Sequence, residues 1–258
     1  MSAQAPTASG SGGFSNLRGT LHTVRLQDAR PQPWRNGGGV THELLAWAPE
    51  RAACAHPASN TQQTDWAVRV SVADITQDGP FSAFPGIDRC FTVLQGAGVV
   101  LTLRGADLHL TPDSEPLAFD GVEAPGCRLT SGATRDLNLM VRQSTGRAWM
   151  QRAVPGRAWG PTNEQGQQVA GVQAPSPQGT DPQHASRRWI WRGLYTHGPA
   201  CLETHGGRIV LPEAALLWSG AGADGEAEDA MTAPWCLIEG SQAWWLGLHS
   251  SGLEDDRT

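Results

Sequence analysis

Apolar and polar residues alternate with a period of two through several short stretches of this chain. From 66 to 73, Trp66, Val68, Val70 and Val72 fall on one face, and Arg69 and Ser71 on the other. After Val40, Thr41 and Glu43 share a face opposite His42 and Leu44. In 137–141, Asn138 and Met140 stand opposite the two leucines and Val141. An apolar run over 90–94 meets Gln95-Gly96-Ala97-Gly98 and returns over 99–103, which is a hairpin signal. Few segments sustain a helical period. Many short strands separated by Gly and Pro predict an all-β protein, a sandwich or a barrel.

Composition divides the pattern. Residues 165–181 are rich in Gln, Pro, Gly and Ser and read as a long loop or insertion. Beyond it a second set of strands is predicted at 189–195, 200–204, 209–211, 215–218, 235–239 and 243–248, with a small acidic loop over 221–229. The chain therefore reads as a disordered tail (1–18), a first β unit (19–150), a second β unit (151–252) carrying a loop over 161–188, and a flexible end (253–258).

The 258 residues are long enough to bury a sizeable core. The net charge of −6 argues against a counterion-release nucleic-acid binder. All 19 basic residues are arginine, which excludes Schiff-base and P-loop lysine chemistry. No apolar run is long enough for a transmembrane helix, and the first residues lack the basic and apolar regions of a signal peptide. The five cysteines are scattered, without a Cys-x-x-Cys pair, and read as buried reduced thiols. These features point to a cytoplasmic protein without membrane or nucleic-acid partners; a homodimer is compatible with them.

Three segments carry candidate chemistry. In Trp34-Arg35-Asn36-Gly37-Gly38-Gly39-Val40-Thr41-His42-Glu43, the glycines permit positive φ and close backbone approach, Trp34 offers a flat apolar wall, Asn36 an amide and Glu43 a carboxylate. It is neither a dinucleotide fingerprint nor a Walker loop. In the second segment, 78–89, Gly-Pro and Pro-Gly pairs stiffen a loop that holds Phe81 and Phe84 and leads into Arg89. The third, 129–140, places Asn138 on a strand face. Each also has a purely structural reading, as a tight turn, a packed loop or a satisfied polar side chain.

Taken in order, Trp34-Arg35-Asn36-Gly37-Gly38-Gly39 with Thr41 and Glu43, then Arg69, Ser71, Ala73 and Asp74 with Asp78-Gly79-Pro80-Phe81-Ser82 and Arg89, then Asp136, Asn138, Leu139 and Met140, resemble the HutD/Ves family over about Leu21 to Arg142. The resemblance implies a bicupin: two cupin-like β-barrel or jelly-roll units. It also implies a link to histidine utilisation. Leu137 stands where an aromatic is usual, and the Gln/Pro-rich insertion is atypical.

Cupin enzymes commonly hold a metal through His-x-His, a later Glu and a further His; this chain has no His-x-His, and neither metal nor cofactor is expected. No Gly-x-Ser-x-Gly elbow is present. The remaining chemistry is a pocket for a small polar ligand. Arg69 or Arg89 would bind a carboxylate, Asn36, Ser71, Thr41 and Asn138 would hydrogen-bond, and Trp34, Phe81 and Phe84 would supply walls. Glu43 or Asp74 would orient an arginine or accept from a ligand N–H, unless Arg69 forms a structural ion pair with one of them. The first expectation is a metal-free bicupin that binds a small anionic metabolite in a regulatory or accessory role. Given the family link, that metabolite is urocanate, formiminoglutamate or N-formylglutamate. The alternatives are an isomerase or hydrolase using Glu43 or Asp74 as base, and a carbohydrate-binding module using some of the 11 tryptophans, eight of which lie from Trp149 onward.

Overall fold

The computed structural model describes residues 21–49, 66–159, 189–221, 231 and 233–250. The tail over 1–18, the loop over 161–188, nearly all of the acidic loop and the end over 253–258 lie outside them. Nineteen strands follow in chain order: β1 (His22–Arg25), β2 (Pro31–Pro33), β3 (Gly39–Trp47), β4 (Val68–Ile75), β5 (Gly79–Pro80), β6 (Ile87–Gln95), β7 (Val99–Leu103), β8 (Ala106–Leu110), β9 (Leu117–Asp120), β10 (Gly126–Leu129), β11 (Thr134–Arg142), β12 (Arg147–Arg152), β13 (Ala158–Trp159), β14 (Trp189–Thr196), β15 (Ala200–Thr204), β16 (Gly207–Leu211), β17 (Ala215–Gly220), β18 (Trp235–Glu239) and β19 (Ala243–His249).

They form four antiparallel sheets. The first barrel pairs a six-stranded sheet, β2-β3-β4-β11-β6-β9, with a four-stranded one, β5-β10-β7-β8. The second pairs a five-stranded sheet, β1-β17-β14-β19-β12, with β13-β18-β15-β16. This is the expected all-β bicupin. Two strands cross the sequence division. β1 hydrogen-bonds to β17 and β12 to β19, so segments at both ends of the first half build the second barrel's larger sheet.

The two larger sheets lie back to back. Val68, Val70 and Val72 of β4, and Leu137, Leu139 and Val141 of β11, pack with Trp191, Tyr195, Leu216, Trp244, Leu246 and Leu248 in one buried cluster. The alternation in β4 is therefore not that of a strand with a wet polar face. Its apolar face joins the two units, and its polar face, with Arg69 and Ser71, turns into the first barrel. At about 25 cal/mol per Å² of apolar surface, the larger energetic return goes to the face joining the units. The barrel interior can then afford polar groups. Farther in, Ile75, Phe91, Val93, Val99, Leu101 and Phe119 close the first barrel.

The second barrel is filled by aromatic rings. Trp149, Trp159, Trp189, Trp235 and Trp245 contact one another, with the Trp159 and Trp245 centroids 5.1 Å apart at 12°. All 11 tryptophans are buried or half-buried. Cys90, Cys127 and Cys201 are buried free thiols and Cys236 is half-buried. Cys54 lies outside the described residues.

Candidate functional site

The site is a cavity of about 530 Å³ between the sheets of the first barrel. One wall comes from the turn joining β2 to β3. Trp34 N donates to Gly39 O at 2.9 Å and Gly37 N donates to Trp34 O at 3.0 Å, closing a tight loop. Gly37 has φ +71°. A Cβ on Gly39 would stand 2.5 Å from Asp74 O and 3.1 Å from the Trp34 ring, so the chain reverses here only with glycine. The Trp34 indole N–H donates to Thr41 Oγ1 at 2.8 Å, which fixes the ring against the cavity. Asn36 Oδ1 accepts from Gly38 N at 3.0 Å, so this exposed side chain shapes the turn at the cavity rim.

The floor comes from β4, β6 and β11, whose register places Arg69 beside Met140 and Met140 beside Arg89. Arg89 is 5% exposed. Its Nη2 donates to Asn138 Oδ1 at 2.8 Å, while Nε and Nη1 are buried without a hydrogen-bond partner. Three rings surround its guanidinium: Phe81 at 5.0 Å, Phe119 at 5.1 Å and Phe84 at 5.8 Å. Burial pushes its pKa down to about 10, against the pull of Asp136 and with the repulsion of Arg69; it stays charged at neutral pH. Arg69 donates through Nε to Glu43 Oε2 at 2.6 Å and through Nη1 to Met140 Sδ at 3.9 Å.

Nine of the eleven residues singled out in the sequence meet here: Trp34, Asn36, Thr41, Arg69, Ser71, Phe81, Phe84, Arg89 and Asn138. Glu43 is next to the cavity rather than in its lining, and holds Arg69. Asp74 is elsewhere: it takes Arg135 on both oxygens, at 2.7 and 3.0 Å, and lies 3.6 Å from His42 Nε2. As a pocket residue Asp74 is corrected, because β4 alternates and an even-numbered residue there faces away from Arg69 and Ser71.

Asp136 is the residue missed by reading the sequence. It is 1% exposed and lines the cavity. Its Oδ1 accepts a hydrogen bond from Asn138 Nδ2, and its Oδ2 has no partner. The signal was available, since Asp136 alternates onto the same face as Asn138 and Met140. Arg35 and Ser82 also reach the lining from the two loops. Among the described residues, no three His, Cys, Asp or Glu side chains gather as a metal would require, and no helix is long and apolar enough to cross a membrane.

The fold and this site define a bicupin whose first barrel holds an arginine-bearing polar cavity. The chain belongs to the HutD family, whose match covers residues 26–175. It is 36% identical over 131 residues to an uncharacterised 21.2 kDa protein in the hutC 3′ region of Pseudomonas putida, covering 51% of this chain and 63% of that protein. It is 34% identical over 120 residues to protein Ves of Citrobacter koseri, covering 45% and 56%. The chain thus spans less than two thirds of the length of these curated relatives. The crystal structure of HutD from Pseudomonas fluorescens SBW25 superposes with a TM-score of 0.62 at 23% identity, covering 90% of this chain and 98% of that one. The HutD family is linked to the histidine-utilisation operon region.

Proposed function

We propose that the first barrel binds a small carboxylate metabolite of histidine degradation (urocanate, formiminoglutamate or N-formylglutamate) in a regulatory or accessory role. The observation that carries this reading is Arg89, a buried cation lining a cavity of about 530 Å³, whose Nε and Nη1 have no hydrogen-bond partner. A buried donor without an acceptor is costly, and a carboxylate accepting from it would offset that cost. Phe81, Phe84 and Trp34 supply apolar walls for the rest of such a ligand. The gene context of the Pseudomonas putida relative supports the choice of metabolite.

Binding is preferred over acid–base turnover because the two carboxylates first considered as base are engaged elsewhere, Glu43 by Arg69 and Asp74 by Arg135. Isothermal titration of the protein with each of the three metabolites tests the proposal. Saturable heat with at least one of them, lost in Arg89→Ala, is expected. No heat with any at millimolar concentration would overturn it.

A further inference from the structure

Asp136 and Arg89 occupy one cavity, yet Asn138 stands between them. Arg89 Nη2 donates to Asn138 Oδ1 at 2.8 Å, and Asn138 Nδ2 donates to Asp136 Oδ1. An ionised carboxylate buried beside a guanidinium ordinarily closes on it and collects several donors. Asp136 has one donor on Oδ1 and none on Oδ2.

We propose that Asp136 is a carboxylic acid rather than a carboxylate, and that its Oδ2–H stands with the free N–H groups of Arg89 as a second donor for the bound anion. This rests on the reading of the cavity as an anion site and adds what selects the ligand: an oxygen able to accept from both groups.

The charges facing Asp136 support the assignment. Arg89 faces it from β6. Arg69 of β4 lines the same cavity and is already matched by Glu43 of β3. Asp74, also of β4, repels it but is matched by Arg135. The Cys127 thiol of β10 feels Asp136 from the opposite sheet, and burial pushes that thiol up to about 12, so it stays neutral. With Asp136 protonated, the cavity keeps the unmatched charge of Arg89 to attract an anion. With Asp136 ionised, that charge is cancelled. Burial pushes the Asp136 carboxyl well above the usual carboxylate range, opposed by Arg89 and Asn138 and assisted by Asp74.

Infrared spectroscopy of the protein at pH 7 without added ligand is the direct test. A carboxylic-acid C=O band is expected in the wild type and absent in Asp136→Asn; its absence from the wild type overturns the proposal. Labelling the wild type with ¹³C-aspartate gives the same reading should the variant not fold. Calorimetry with N-formylglutamate and with acetate then tests the donor. Asp136→Asn, which keeps an N–H donor, is expected to bind within about threefold of wild type, and Asp136→Ala about tenfold or more weaker. Equal affinity of the Ala and Asn variants overturns the donor role. A gain of more than about tenfold in Asp136→Asn shows instead that a negative charge was removed. An acid band without heat from any probe leaves the proton assigned and overturns the anion site.

Discussion

Glu43 Oε2 accepts the Arg69 Nε–H at 2.6 Å across neighbouring strands, just before the β3–β4 register shifts between Glu43 and Leu45. The irregularity lets Leu44 and Leu45 both pack toward the second barrel while Glu43 stays beside the cavity. Glu43 thereby fixes the guanidinium that lines the site. Its role is to position Arg69, and the ion pair is half-buried, with side-chain exposures of 15% for Arg69 and 31% for Glu43.

Glu43→Gln keeps the shape but removes the charge that holds Arg69. Affinity for N-formylglutamate should fall about three- to tenfold, and Arg69→Met should cost at least as much. Titration calorimetry of both variants against wild type checks the order.

Arg89→Leu removes the buried cation and both free donors. Affinity should fall by about tenfold to a hundredfold, the usual weight of a hydrogen bond to a charged group, while far-UV circular dichroism stays that of the folded wild type. Wild-type affinity in this variant would show that the anion is held elsewhere.

Gly39→Ala places a methyl 2.5 Å from Asp74 O and against the Trp34 ring. Backbone cannot yield cheaply there, and a loss of about 1–3 kcal/mol is expected from overpacking. Gly37→Ala is opposed by φ +71° alone, with open space around it, and should cost about 1 kcal/mol. Urea unfolding of the two variants separates crowding from backbone conformation.

Burial holds the His197 pKa below its usual value; Arg135 acts in the same direction and Glu213 against it. The folded protein therefore binds this proton less readily than the unfolded chain. The associated stability is present above the unfolded value of about 6.5 and is lost as pH falls through that value toward the lower folded one. His197→Gln should flatten the decline in Tm between pH 8 and pH 5, read by thermal melts at both ends.

Leu139 and Leu246 lie in different halves of the chain but in one buried cluster, each with no exposure. Leu→Ala at either position should cost about 2–5 kcal/mol. Both variants should unfold in one transition, seen by Trp fluorescence and far-UV circular dichroism together; separate transitions for the halves would contradict a shared core.

Period-two alternation and the glycine and proline turns were enough to read the strands, because side-chain direction in a strand follows from local geometry. Trp34, Arg69, Ser71, Phe81, Arg89 and Asn138 were legible as a set for the same reason: each sits on a polar face or in a stiff loop within the family-like motifs. Alternation could not say which face of β4 looks inward. That depended on the five-stranded sheet, which covers the valines and leaves the barrel to Arg69 and Ser71. Nor could it place β1 and β12, whose hydrogen-bond partners lie far along the chain. Asp74 and Asp136 show the limit most directly. Alternation puts Asp136 on the face of Asn138 and Asp74 opposite Arg69, and only the packing of sheet on sheet made the first of those faces a closed cavity, where burial governs the proton of Asp136.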